Sequence, residues 1–444
     1  MQNKFLWKGL VFGIIVLFFI SVIPIINANK INLNSKSNHE ILKDSNYTNT
    51  KCLSKCLVKN WTWIFYDDAD FFNAYDPLIH DSPSFPCFHK EAYSSDNLNV
   101  IVLQDQEKGP ASMWYINENH EKILLEEMGE INMGDYQILK DFIIYSKENY
   151  PAVRYLVSMY NHGGGWMGAC WDDTNNGDHL TMDEMQKAYT ETGGIDILCF
   201  TAPCNMGAVE SAYELRNCVD IYIGDEEGSG YGHWRRTITN IRKMLNYNNS
   251  LTNIEIGQQI IQSIENNTPW PEFISMSAVR TDKTVELANA IDNLSQSLIE
   301  NKDLSYSKFW SIKEEIQYFA DGSLLDIYHL AEKYKTVETN QTICEYLDNV
   351  MVCLEEAVVE EFHDNEDHKN AHGLSIYFPL QKKYYYSYYG EDEYGLDFTK
   401  NTHWDEFLGK YMKTRTKSSS YPILMRFLEQ YPLLGHLLKR LTLF

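Results

Sequence analysis

Short apolar runs that end in polar residues recur through the first half of the chain, with amphipathic segments between them. Runs of this length are typical of buried strands, and the period of the intervening segments is typical of helices. Their alternation predicts βαβ units, and therefore a parallel sheet covered by helices. The predicted strands are 61–66, 98–103, 153–159, 195–200 and 219–223, and the predicted helices between them are 136–148, 183–191 and 209–216.

The second half of the chain is mostly helical by the same criteria. Two short apolar runs in it, 273–279 and 374–378, are predicted to be strands. The predicted helices of the second half are 251–266, 283–300, 306–320, 324–334 and 341–362.

In the first half, Thr181 and Glu184 have the spacing of a capping box, and they mark the start of the helix predicted over 183–191.

The two ends of the chain differ in composition from its centre. Residues 1–28 have a basic start, an apolar run and a small residue at the end, which predicts a secretory signal peptide or an uncleaved anchor. Residues 29–59 are polar and are predicted to be a flexible leader. The compact domain is predicted over 60–412, outside the cytoplasm. A linker and an amphipathic tail follow over 413–444, and the tail could pack on the body, a partner or a membrane surface.

Charge and cysteine content narrow the class of protein. The net charge of −24 argues against nucleic-acid binding, which requires a basic surface. The nine cysteines are an odd number, so at least one thiol remains free, and Cys204 is the candidate for it. Cys52 with Cys56 and Cys344 with Cys353 are close enough in sequence to be local disulfide pairs.

A histidine and a cysteine stand just past two successive predicted strands. In a parallel sheet His162 and Cys204 would meet at one edge, as a nucleophile and its acid/base. Gly163 allows a close backbone approach, and its N–H and that of Cys204 could stabilise an oxyanion. The helix predicted after Cys204 would lower the pKa of the thiol. The alternative is that both residues are structural.

Six segments around these residues carry a family resemblance. In chain order they are 63–70, 129–135, 161–166, 204–207 with 210–215, 372–379 and 402–408. With these segments the chain resembles the clostripain family of cysteine peptidases, in the caspase–hemoglobinase clan, over about residues 60–412. The resemblance implies a caspase-like α/β fold, a three-layer sandwich with a mostly parallel sheet and helices on both faces.

The resemblance also assigns roles to residues. It implies that Cys204 is the nucleophile, that His162 is the general acid/base, and that the N–H groups of Gly163 and Cys204 form the oxyanion hole. It implies a polypeptide substrate and no cofactor for the chemistry. Calcium dependence is known in the family. Asp172, Asp173 and Asp178 surround a turn glycine and could bind calcium, although a plain Asn-Gly turn explains the same composition.

The sequence departs from the family before the nucleophile. The family usually has Phe-Asp-Ala-Cys there, and the Asp helps to receive a basic substrate side chain. This chain has Thr201 or Ala202 at the place of that acid. Asp225 and Glu226, after the next strand, could supply the missing charge, or they could belong to a solvated loop. The specificity pocket is therefore expected to be altered.

Two functions follow from these patterns. The first is a secreted cysteine endopeptidase that works through an acyl-enzyme. The second is an inactive caspase-like protein that binds peptides or surfaces, motivated by the missing Asp and by Pro203 beside Cys204. The N-terminal segment and the C-terminal tail are the parts that could contact a membrane in either case.

Overall fold

A nine-stranded sheet runs through the centre of the computed structural model. The predicted signal peptide, nearly all of the leader and most of the C-terminal tail lie outside the residues that the structure describes. All the residues that the structure describes belong to one unit, Lys55–Phe444. They are 58–70, 91–228, 234–247, 250–268, 274–320, 322–364, 366–390 and 395–417.

The centre of the sheet is parallel and both of its edges are antiparallel. The spatial order is β13-β10-β9-β8-β5-β1-β2-β3-β4, and the five strands from β9 to β2 run parallel. Two small sheets, β11-β12-β14 and β6-β7, lie outside it. The strands are β1 Lys59–Ala69, β2 Leu98–Gln106, β3 Ala111–Ile116, β4 Lys122–Gly129, β5 Ala152–Tyr160, β6 Ala169–Asp172, β7 Asp178–Leu180, β8 Ile195–Phe200, β9 Val219–Asp225, β10 Ser275–Arg280, β11 Tyr318–Phe319, β12 Leu324–Asp326, β13 Val358–His363 and β14 Ser375–Tyr377.

Helices cover both faces of the sheet. Residues of α4 and α5 pack on one face, and residues of α1, α2, α3 and α6 are among those that pack on the other. The arrangement is the predicted three-layer α/β sandwich. The helices are α1 Tyr136–Asn149, α2 Met182–Glu191, α3 Val209–Glu214, α4 Trp234–Tyr247, α5 Asn253–Asn267, α6 Thr284–Glu300, α7 Lys302–Ile312, α8 Ile327–Val337, α9 Gln341–Ala357, α10 Asp397–Asn401 and α11 Trp404–Lys417.

Alternation along β1 explains why the sheet has two apolar cores. Trp63 and Phe65 belong to the core on the face of α4 and α5, whereas Ile64 and Tyr66 belong to the opposite core. All four side chains are at most 1% exposed. Successive side chains of a strand point to opposite faces, so a continuous apolar run is what a strand buried on both faces requires.

Most predicted elements are confirmed, and two helices were predicted too long. The helix predicted over 306–320 ends at Ile312 as α7, and the one predicted over 341–362 ends at Ala357 as α9. The segment after Ala357 instead forms β13, paired antiparallel with β10. The hairpin β3-β4 and helix α4 were not predicted. Helix α11 continues to Lys417, beyond the domain boundary predicted at 412.

The suggested disulfide between Cys344 and Cys353 is wrong. Both residues are free and lie nine positions apart on α9. That separation is about 13 Å along a helix, far beyond the reach of a disulfide. Cys204 forms no disulfide, as predicted, and Cys52 and Cys56 lie outside the described residues. Within the described part of the chain, no helix combines the length and apolarity needed to cross a membrane.

Candidate active site

The loops that carry His162 and Cys204 leave neighbouring strands at the same edge of the sheet. Strands β5 and β8 pair in parallel, with Met159 opposite Phe200 at their carboxyl ends. The pairing continues one residue further, because the N–H of Thr201 donates to the carbonyl of Met159 at 2.9 Å. The position that the sequence predicted for the two residues is therefore the observed one.

Gly163 places the histidine loop directly against the cysteine. A Cβ atom built on Gly163 would lie 2.3 Å from the carbonyl oxygen of Cys204 and 2.9 Å from the Cβ of Pro203. Only a residue without a side chain fits this approach. The backbone that follows His162 thus lies against the backbone of Cys204.

Asn161 fixes the start of the histidine loop. Its φ of 137° is rare for a residue with a side chain. Its side-chain amide donates to the carbonyls of Asp68 and Trp171 at 3.1 and 3.0 Å. Its side-chain oxygen accepts from the N–H of Trp171 at 3.1 Å and from that of His162. The buried side chain of Asn161 therefore ties the end of β1, strand β6 and the backbone of His162 together.

The surroundings of His162 favour its neutral form. His162 is an exposed residue by its accessible surface area. Protein atoms nevertheless surround much of the imidazole and reduce its solvation. This desolvation lowers the pKa of His162, and the carboxylate of Asp173 opposes the shift. A neutral imidazole at pH 7 can accept the proton of a thiol. The carbonyl of His162 accepts from the N–H of Cys170 at 3.0 Å, which holds the loop from its other side.

Main-chain hydrogen bonds hold the cysteine loop. The N–H groups of Asn205 and Gly207 donate to the carbonyls of Glu227 and Asp225, each at 2.7 Å. The thiol of Cys204 is half-buried, 3.9 Å from the carbonyl of Ala202. Helix α3 begins only at Val209 and is six residues long, so Cys204 does not stand at a helix terminus. The prediction that a helix dipole acts on the Cys204 thiol is therefore wrong.

Thr201 and Ala202 are both buried, each 2% exposed. The hydroxyl of Thr201 donates to the carbonyl of Met159 at 2.8 Å. Thr201 therefore serves to pair β8 with β5. The position of the family's acid carries no charge in this chain, as its sequence predicted.

Asp225 and Glu226 are fully buried, which excludes the solvated loop suggested as their alternative. One oxygen of Asp225 accepts from the N–H groups of Glu227 and Ser275, and one oxygen of Glu226 accepts from Ser275 and Gly373. Burial raises the pKa of Asp225 to about 6 and also raises that of Glu226. The other oxygen of each accepts no hydrogen bond among the described residues.

The predicted calcium ligands do not come together as a trio. Asp172 ends β6, Asp173 begins the turn, and Asp178 begins β7, where its side chain accepts from Asn132 at 2.6 Å. Asn176 and Gly177 both have positive φ, as a tight hairpin turn requires. The Asn-Gly turn explains the loop, and within the described ranges only Asp172 joins a group of possible metal ligands.

That group contains three residues which the sequence did not single out as ligands. One carboxylate oxygen from each of four acids lies within 4.8 Å of one from every other, and the four are Asp70, Asp105, Glu130 and Asp172. They come from the ends of different strands, far apart in the chain. Asp70 and Asp105 each stand just past the carboxyl end of a predicted strand, 61–66 and 98–103, and this position was the sequence signal for the group.

Comparison with known proteins gives concordant results. A family model described as the Clostripain family matches residues 89–411. Clostripain from Hathewaya histolytica is 28% identical over 450 residues, covering 83% of this chain and 82% of that protein.

Two solved structures share the fold. An inactive zymogen C11 protease from Parabacteroides distasonis has a TM-score of 0.59 at 18% identity, covering 78% of this chain and 99% of that chain. A secreted C11 cysteine protease from Bacteroides thetaiotaomicron, in complex with an irreversible peptide inhibitor, has a TM-score of 0.57 at 17% identity, with the same coverage. The predicted caspase-like fold is confirmed.

Proposed function

This chain belongs to the clostripain family of cysteine peptidases, and we propose that Cys204 and His162 are its catalytic dyad. The observation that carries the proposal is the contact between their loops, in which Gly163 abuts the backbone of Cys204. Parallel strands β5 and β8 bring the two loops to one edge, where active sites of α/β proteins lie.

Acylation would begin with transfer of the thiol proton of Cys204 to the neutral imidazole of His162. The thiolate attacks the carbonyl carbon of a peptide bond, and the N–H groups of Gly163 and Cys204 hold the oxyanion that forms. His162 then gives its proton to the leaving amine, the C–N bond breaks, and an acyl-enzyme remains.

Deacylation uses the same groups in reverse order. His162 removes a proton from a water molecule that attacks the thioester carbon, and the oxyanion hole is occupied again. The thioester bond breaks, the peptide leaves as a carboxylic acid, and the proton on His162 returns to the sulfur. These steps need no cofactor, because every proton moves between Cys204, His162, the substrate and water.

The substrate is a polypeptide, and its preferred residue would be set without the family's usual acid. Asp225 is the better of the two candidates to replace it. It ends β9, and its own carbonyl accepts the hydrogen bond that holds Gly207, three residues after Cys204. Its second oxygen is buried and accepts no hydrogen bond among the described residues, so a basic substrate group that reached it would complete its hydrogen bonding. Asp225→Asn should then selectively reduce cleavage after Arg and Lys.

The protein would act outside the cytoplasm, either released or held by its N-terminal segment. The support is the signal-like pattern of residues 1–28, and a solved relative of the same fold is described as secreted. No nucleic-acid partner is expected for a chain with a net charge of −24.

Labelling with a thiol-directed peptide probe tests the dyad. Wild type should react, Cys204→Ala should not, and Cys344→Ala should label like wild type, because Cys344 is another half-buried free thiol. Labelling that persists in Cys204→Ala would exclude Cys204 as the nucleophile. A wild type that binds a mixed peptide library but cleaves none of it would favour the inactive binding protein.

A further inference from the structure

The hairpin β6-β7 carries a stacked aromatic pair beside the histidine loop. Trp171 and His179 stand directly opposite each other in the two strands, and residues so placed lie on the same face of a hairpin. Their ring centroids are 4.4 Å apart, and the ring planes differ by 4°. Both residues are only half-buried, so part of this pair is accessible to a ligand.

Main-chain contacts place the pair next to His162. The N–H of Cys170, the residue before Trp171, donates to the carbonyl of His162 at 3.0 Å. A Cβ atom built on Gly164 would lie 2.8 Å from Cη2 of the Trp171 indole, so this ring rests against the loop two residues after His162. A substrate that exchanges a proton with His162 would therefore come within reach of the pair.

The hairpin lies on the side of His162 that faces away from Cys204. In the sheet, β5 stands between β1 and β8, and β8 leads to Cys204. The N–H of Asp173, directly after β6, donates to the carbonyl of Asp70, directly after β1, at 3.2 Å. Because His162 would protonate the leaving amine, the part of the substrate that follows the scissile bond has to lie on this side.

The surroundings of the pair favour a cationic ligand. Residues 163–186 contain no lysine or arginine, and the exposed acids Asp173 and Asp178 flank the turn between β6 and β7. Desolvation lowers the pKa of His179, against the effects of Asp178 and the Met167 carbonyl, so a neutral ring meets the ligand at pH 7. Aromatic faces attract cations, and a planar guanidinium can also stack on them.

We propose that Trp171 and His179 form a subsite for an arginine side chain that follows the scissile bond of the substrate. The guanidinium would stack on the accessible part of the pair, and Asp173 and Asp178 would complement its charge. This inference rests on the proposed dyad, because His162 determines which side of the substrate the hairpin contacts. It is separate from the preference before the scissile bond, for which Asp225 is the candidate.

Hydrolysis of internally quenched peptides by the full-length protein tests the subsite. The peptides share one sequence before the scissile bond and carry arginine or its uncharged analogue citrulline at the first or second position after it. For wild type, kcat/KM should be about 3- to 30-fold higher with arginine at one of these positions. Trp171→Leu should bring this ratio to about one, and Trp171→Tyr should retain part of it because an aromatic face remains.

Trp310→Leu is the matched control, because Trp310 is another half-buried tryptophan, on α7. This variant should keep the wild-type ratio. Each ratio compares two substrates of the same protein, so partial unfolding of a variant does not alter it. Equal kcat/KM for the arginine and citrulline peptides in wild type, or an arginine preference that survives Trp171→Leu, would overturn the subsite.

Binding measurements distinguish a failure of the subsite from a failure of the dyad. Calorimetry of the same peptides with Cys204→Ala requires no turnover, and the arginine peptide should bind at least about threefold more tightly than the citrulline peptide. The double variant Cys204→Ala/Trp171→Leu should bind both peptides alike. Equal affinities in Cys204→Ala would overturn the subsite. A wild type without hydrolysis, but with an affinity difference that depends on Trp171, would overturn the dyad and support the arginine site.

Discussion

Two asparagines, Asn161 and Asn205, adjoin the proposed catalytic residues, and they hold their loops in different ways. Both have positive φ, 137° before His162 and 61° after Cys204. Asn161 acts through its side chain, which bonds to Asp68, Trp171 and His162. Asn205 acts through its main chain, which donates to the carbonyl of Glu227, and its side-chain oxygen has no partner among the described residues.

The difference shows which half of the site a substitution can disturb. A loop held by main-chain bonds tolerates many changes of side chain, because each non-proline residue has the same N–H and carbonyl. A loop held by one amide depends on that residue. The position of His162 is therefore more sensitive to mutation than that of Cys204, except where the two loops touch.

The largest effect is expected where the loops touch, at Gly163→Ala. The added Cβ would lie 2.3 Å from the carbonyl of Cys204, so the two loops must separate. Since one donor of an oxyanion hole contributes about 100- to 1000-fold in rate, kcat/KM should fall by about that factor. Gly409→Ala is the control, because its Cβ would find only an ordinary contact at 3.5 Å. Equal activity of the two variants would contradict the close approach.

The two asparagines give the next largest contrast. Glycine keeps a positive φ available, so Asn161→Gly and Asn205→Gly remove only the side chains. Asn161→Gly should lower kcat about 10- to 100-fold, because a misplaced catalytic group is costly. Asn205→Gly should change kcat by less than about threefold, since its main-chain bond remains. Steady-state kinetics, with melting temperatures to exclude unfolding, checks both, and a reversed order would refute the comparison.

Glu210, in the helix after the cysteine loop, should affect stability rather than rate. Burial raises its pKa from 4.5 to about 7, although Tyr377 and Tyr389 donate to one oxygen. A raised carboxyl pKa means that the folded state prefers the proton. Its stabilising contribution is therefore complete below pH 4.5 and lost as pH rises through about 7.

Glu210→Gln should remove this dependence because its amide does not titrate. Between pH 4.5 and 8 the unfolding free energy of wild type should fall by up to about 3 kcal/mol more than that of the variant. Denaturant unfolding at several pH values measures the difference. Parallel curves for the two proteins would show that Glu210 does not titrate in this range.

Local patterns predicted much of the fold and the sheet edge at which the loops of His162 and Cys204 lie. The start of α2 followed from the spacing of Thr181 and Glu184, which form a capping box in the structure. The strands before His162 and Cys204 followed from apolar runs. By contrast, residues 358–363 continue a helical pattern and become a strand only because β10 offers an edge to pair with.

The contacts that hold the site could not be predicted in this way. Asn161 reaches Asp68, 93 positions away, and the four-acid cluster combines residues from 70 to 172. Neither arrangement has a fixed spacing in sequence, because each depends on the order of strands in the sheet. The pattern of apolar runs indicates that a parallel sheet forms but not which strands become neighbours.

The central place of β1 has a consequence for biosynthesis. It is the first strand of the described chain, yet it pairs with β2 on one side and with β5 on the other. As the chain emerges from the ribosome, the β5 side of this apolar strand stays unpaired until residue 160 has been made. Unpaired apolar edges promote aggregation. Nascent chains halted before β5 should therefore depend most strongly on chaperones.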